Sequence, residues 1–155
     1  MDFENCTEEV QQLIENTFDI VCRCKSRYIM PEDMLYAMTF NRNFIECFEK
    51  NCGSTDELRM ELMEFIRDNG ECAKTDDDIR VTEDFGEMFA RAEVETQIGG
   101  REKIDLAHIF SAMMSLEESH AVYFLLKQNV DLLEVMGELS RLSLAEERSV
   151  DGEEA

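Results

Sequence analysis

Thr7-Glu8-Glu9-Val10 returns at Thr82-Glu83-Asp84-Phe85, and Ile29, Ala37 and Met38 return at Ile104, Ala112 and Met113. Every pair is separated by 75 positions, so the two halves of this 155-residue chain run in register for about 30 residues without a gap. One helical unit is therefore written twice. The copies part after Met113, where the second gains two residues in a loop.

Working outward from the repeat, Val10, Leu13, Ile14, Thr17, Phe18 and Val21 recur at helical spacing. That predicts a helix from Glu8 to about Cys24, with Thr7 as its N-cap and acids at the positive end of its dipole. Pro31 suits the first turn of a second helix, where a missing N–H costs nothing, and Glu32 and Asp33 add favourable charge there. Met34, Leu35 and Met38 form its apolar side. Phe44, Ile45 and Phe48 predict a third helix over Asn43–Asn51, and Leu58, Leu62, Phe65 and Ile66 a fourth, capped by Ser54 or Thr55. In the second copy, Thr82 caps a helix carrying Phe85, Met88, Phe89 and Ala92. Gly99-Gly100 stands where Cys24-Lys25 makes the loop of the first copy. Asp105 caps the helix of Leu106, Ile109, Phe110 and Met113, and helices over Ser119–Gln128 and from Asp131 complete the set.

The fold class is therefore all-α, with eight short helices as two four-helix repeats related by a pseudo-twofold axis. A unit of about 60 residues buries only a thin core by itself, so the copies are expected to pack face to face. The expected boundaries are 1–69 for the first repeat, 70–81 for an exposed acidic linker, 82–142 for the second repeat and 143–155 for an acidic tail that frays. One proline and seven glycines agree with helices, since an all-β chain needs many turn residues.

The formal charge of −21 bounds the partners. It repels nucleic acid and anionic membrane surface and favours basic partners. The start, Met1-Asp2-Phe3-Glu4, lacks the basic and apolar regions of a signal peptide. No stretch approaches the roughly 18 apolar residues that span a bilayer. A cytoplasmic setting follows, in which the six cysteines are thiols rather than disulfides.

Reaction chemistry finds little footing. Gly99-Gly100-Arg101-Glu102-Lys103 has the wrong spacing for a phosphate-binding loop and no preceding strand. His108 and His120 have no serine or cysteine placed beside them for a nucleophile–base pair. Cys22, Cys24, Cys47 and Cys52 are the one candidate metal set, yet only the second pair meets the usual zinc spacing. The second copy has Gln97 and Gly99 at the places of Cys22 and Cys24, so free thiols are the better reading. The expectation is a docking module with no catalytic residue, metal or cofactor; a thiol-based metal or redox protein is the alternative from another class.

The order Thr82-x-x-Phe85, Arg91-Ala92, Gly99-Gly100, Ile104, His108, then Ala121-x-x-Phe124-Leu125-Leu126 resembles the second copy of the Clp N-terminal domain. Met30-Pro31-Glu32-Asp33-Met34-Leu35-Tyr36-Ala37-Met38 resembles the x-T-x-E-H-L-L-x-A-L helix of its first copy, and Glu57 to Ile66 its fourth helix. The resemblance spans Glu8 to Leu142 and looks most like the ClpA branch of Hsp100 unfoldases. It implies a flexibly tethered domain that docks substrates and a ClpS-like adaptor and delivers them to an AAA+ ring and the ClpP protease. The acidic end after Ser143 is similar to the start of an interdomain linker; a free-standing accessory protein of a Clp protease is the alternative. In such domains the adaptor-facing surface includes an acid early in the second helix and residues where the second copy begins. Asp33 and Thr82 match these places. Glu87 stands where relatives can carry an arginine, which implies a partner with a compensating basic group.

Overall fold

The computed structural model describes the backbone of residues 3–154 and the side chains of residues 3–75 and 77–145. Four helices form the first copy: α1 (Glu8–Arg23), α2 (Pro31–Met38), α3 (Arg42–Lys50) and α4 (Thr55–Asn69). Four more form the second: α5 (Glu83–Ile98), α6 (Leu106–Met114), α7 (His120–Lys127) and α8 (Leu132–Glu154). Caps mark most starts. Thr7 and Thr82 each accept the N–H three residues on, from Val10 at 3.3 Å and Phe85 at 3.2 Å. Asn41, Ser54 and Asp105 do the same work for α3, α4 and α6, and Ser119 caps α7 by accepting the Ala121 N–H two residues on.

The repeat is visible in backbone detail. After α1, Lys25 has φ 55°, and after α5, Gly100, its equivalent, has φ 71°. Ser26 N–H donates to the Val21 carbonyl at 3.1 Å, and Arg101 N–H to the Thr96 carbonyl at 2.9 Å. Both helices thus end in the same left-handed closing turn, the arrangement that glycine adopts without strain and lysine does not.

Two short strands, β1 (Tyr28–Ile29) and β2 (Arg80–Val81), pair in parallel, with Ile29 opposite Val81. Cys6 pairs in parallel with Ile104, the same contact after exchange of the copies. Thr82 N–H donates to the Ile29 carbonyl at 3.1 Å and Thr7 N–H to the Ile104 carbonyl at 3.0 Å. Each copy therefore pairs the segment ahead of its long helix with the other copy. Two residues carry no detectable alternation, so these strands are invisible to a reading by periodicity. They also change the picture of the connection between copies. Arg27 N–H donates to the Glu71 carbonyl at 2.7 Å, Ala73 N–H to the Lys25 carbonyl at 2.8 Å, and Ile79 packs on the core. The segment is polar, yet its backbone is held.

At the far end α8 continues past Leu144 to Glu154. Ala145-Glu146-Glu147-Arg148 are all good helix formers, which outweighs the missing apolar stripe.

A single apolar core runs through both copies. Phe44 stacks on Phe48 at 5.2 Å between ring centroids, and Phe110 of the other copy meets Phe44 at 5.9 Å. All three are fully buried, as are Phe85, Met34 and Met88. Phe85 packs against Phe89 at 5.3 Å. Truncation of Phe110 or Phe85 to alanine should cost about 3–5 kcal/mol in chemical denaturation; a cost below about 1 kcal/mol would contradict a core shared between copies. At the closing turn, Gly100→Ala should lower stability by about 1 kcal/mol. Lys25→Gly, at the equivalent position, should leave it unchanged or raise it.

Candidate functional site

The start of α2 is built by Pro31, Glu32 and Asp33 over an N-cap, Met30, whose side chain accepts nothing strong. Asp33 supplies the missing cap from inside the helix: its Oδ2 accepts the Met30 N–H at 2.8 Å. Asp33 is 1% exposed, and its Oδ1 has no hydrogen-bond partner. Burial pushes its pKa from the ordinary 3.8 up to about 7; the Met30 bond pulls the other way and the Glu32 charge adds to the rise. The acid singled out for adaptor contact is therefore turned into the protein, because the cap it makes requires that direction.

The second copy solves the same problem differently. Asp105, the equivalent of Met30, caps α6 directly by accepting the His108 N–H at 2.9 Å. Burial raises its pKa, but the bonds and charge of His108 and the charge of Arg101, 3.5 Å away, outweigh that and hold it below the ordinary value. The acid has moved from the third helical position to the cap, where cations reach it.

Glu32, read in the sequence only as dipole charge, spans the two copies. It is 6% exposed, and its Oε1 accepts from Ser119 Oγ at 2.9 Å and from His120 N–H at 3.0 Å. It thus caps α7 from across the seam. Nothing local announces such a bond, since its partners lie 87 and 88 positions away.

Thr82 is half-buried at the start of α5. Its hydroxyl caps Phe85 and also donates to the Ile29 carbonyl at 3.1 Å, so it fastens the second copy to β1. Glu87 lies one turn on and is exposed. Its Oε1 is 2.7 Å from Arg91 Nη2, and Arg91 Nη1 donates to the Ser115 carbonyl at 2.7 Å and hydroxyl at 2.9 Å. Thr82 and Glu87 share one edge with the exposed Glu83 and Asp84; Asp33 does not reach that surface.

The thiols are dispersed. Cys6 and Cys47 are buried, while Cys22, Cys24, Cys52 and Cys72 are exposed. Burial, with the nearby Glu138 and Glu46 charges, pushes the Cys47 thiol up, away from the reactive thiolate. Among the described residues no three His, Cys, Asp or Glu side chains converge on a point that could hold a metal ion. No described helix is long and apolar enough to cross a membrane.

The buried acid yields a pH test. In the unfolded chain Asp33 ionises near 3.8 and in the folded chain near 7. Below the lower value it is protonated in both states and costs nothing. Between the two the unfolded chain ionises first, so stability falls as pH rises, by up to about 1.4 kcal/mol per unit. Asp33→Asn keeps the cap and stays neutral. Its stability relative to the native chain in urea should therefore grow from about pH 4 to about pH 7 and then level off. A difference independent of pH would overturn the assignment.

The chain matches the family described as the Clp repeat (R) N-terminal domain over residues 5–128. Its fold is similar to the Hsp104 N-terminal domain from Candida albicans, with TM-score 0.74 and 11% identity, covering 90% of this chain and 92% of that one. The N-terminal domain of the chaperone ClpD from Arabidopsis thaliana superposes with TM-score 0.69 and 13% identity, over 91% and 99% of the two chains. That of the ClpV1 ATPase of a type VI secretion system of E. coli does so with TM-score 0.71 and 14% identity, over 92% and 86%. The family match and the doubled eight-helix body agree: this chain belongs to the Clp repeat N-terminal domain family.

Proposed function

We propose that this domain serves a ClpA-type unfoldase as the site where a ClpS-like adaptor and substrate proteins dock before delivery to the AAA+ ring and ClpP in the cytoplasm. The observation that carries this reading is the edge at the start of α5. Thr82 anchors that edge to β1 through two bonds to the Ile29 carbonyl, one from its N–H and one from its hydroxyl, and Glu83, Asp84 and Glu87 stand out from it. An acidic edge on a fixed backbone is a surface that a partner with basic groups can read without reordering it.

Thr82 and Glu87 make the contacts in this proposal. Asp33 acts behind them by fixing the first turn of α2, which follows the β1 strand that Thr82 grips. Repeat boundaries at 1–69 and 82–142, joined through 70–81 and followed by 143–155, suit such a role. Mechanistically the domain performs no chemistry: holding cargo on a tether raises its concentration near the ring.

Calorimetry with a ClpS-like adaptor should give micromolar or tighter binding. Glu87→Arg should weaken it about fivefold at low salt, as for an exposed charge pair worth up to about 1 kcal/mol, and the difference should shrink in high salt. No heat of binding at high protein concentration would overturn the adaptor role.

A further inference from the structure

Where α4 of the first copy meets α7 of the second, rings from both copies form a continuous row at the surface. His120 stacks on Phe65 at 4.5 Å between centroids with planes 30° apart. Phe65 meets Phe124 edge-on at 5.8 Å, and Phe124 meets Tyr123 at 5.4 Å. Phe65 and Phe124 are half-buried and His120 is exposed. Tyr123 is 58% exposed and Leu126, three residues on along the same helix, 62%. Single exposed apolar residues are ordinary in any fold. A row of touching rings with an open tyrosine at one end is different, since aromatic side chains concentrate at binding surfaces.

The row rests on a fixed support. Glu32 pins the first residues of α7, as described above. Gln128 pins the other end: its Oε1 accepts the Ser54 N–H at 3.1 Å and its Nε2 donates to the Ser54 carbonyl at 3.3 Å. A partner would meet rings already held in place, without the entropic cost of ordering them.

The rim decides what kind of partner fits. On α4, Glu61 and Asp68 stand one turn before and one turn after Phe65, with Glu64 beside it; Glu117 and Glu118 lead into His120. Glu64, Asp68, Glu117 and Glu118 are exposed. The base on this side of α7, Lys127, is engaged by Glu61 Oε1 at 3.4 Å, while Glu61 Oε2 has no hydrogen-bond partner. A second copy of a chain with formal charge −21 would bring the same acids against these and be repelled. Arginine answers both features, because its guanidinium pairs with carboxylates and stacks on ring faces.

We propose that the α4–α7 seam, with Phe65, His120, Tyr123, Phe124 and Leu126, is a second docking surface, and that it takes a cationic apolar peptide segment: arginine or lysine flanking a leucine or aromatic anchor. The proposal rests on the docking reading above and adds to the α5 edge a surface that only the assembled pair of copies creates.

The test is selection from a display library of short random peptides on the folded domain. The Tyr123→Glu/Leu126→Glu variant, altered at exposed positions and checked for helicity, serves as counter-target. Enriched peptides should combine basic and apolar residues, bind the variant roughly tenfold more weakly, as expected for loss of an anchor contact, and bind less tightly in high salt. Glu64→Lys/Asp68→Lys should weaken the same peptides with the rings intact. Peptides that bind the double variant as tightly as the native domain would overturn this surface and leave docking in place. No enrichment at all would overturn both. Acidic peptides, or a dimer in light scattering that the variant abolishes, would place another occupant on the seam and overturn the proposal.

Discussion

The segment ahead of each long helix does not pair within its own copy. Thr82 N–H reaches the Ile29 carbonyl and Thr7 N–H the Ile104 carbonyl, and the flanking strands follow suit. This reciprocal exchange commits the backbone groups at the starts of α1 and α5 to the opposite copy. A buried backbone group left without a partner is costly, so neither copy can leave the other without exposing several at once. The shared core follows from that constraint, because the exchange brings Phe44 of one copy against Phe110 of the other.

The same geometry explains why contacts between the copies collect at seams. The outer faces of the helices are solvated and acidic. The places where the copies meet combine elements with no sequence relation to each other: Glu32 with Ser119, Phe65 with His120, Ser54 with Gln128. A seam of this kind is rigid because both of its walls belong to one core, and it is asymmetric because the copies differ there. The contrast between Asp33 and Asp105 shows how far that divergence goes. Equivalent helix starts carry an acid in different places, one with its pKa raised by burial to about 7 and one held below its ordinary value by His108 and Arg101. A partner approaching such a body meets two related frames that carry different chemistry.

Much of the fold was legible because its determinants are local. Capping residues at Thr7, Thr82, Asp105 and Ser119, apolar spacing along each helix and the fixed offset between copies all lie within a few residues or one constant interval. The strands escaped because two residues have no period. The extension of α8 to Glu154 escaped because helix propensity is weaker evidence than an apolar stripe. The candidate site was less legible. Thr82 and Glu87 lie on an open edge, as their helix positions suggest, but Asp33 reads identically in sequence whether it faces solvent or its own backbone. Only the direction of the carboxylate, set by the uncapped Met30 N–H, separates the two.

By itself the sequence determined that there are two helical units, where their helices begin, and that the body is strongly acidic, because periodicity, caps and charge are carried by neighbouring residues. The tertiary structure alone decided which copy each segment pairs with, that Asp33 is buried and raised to about 7, and that Phe65 and His120 complete one surface. Those outcomes depend on groups up to 88 positions apart, brought together by packing that no local pattern encodes.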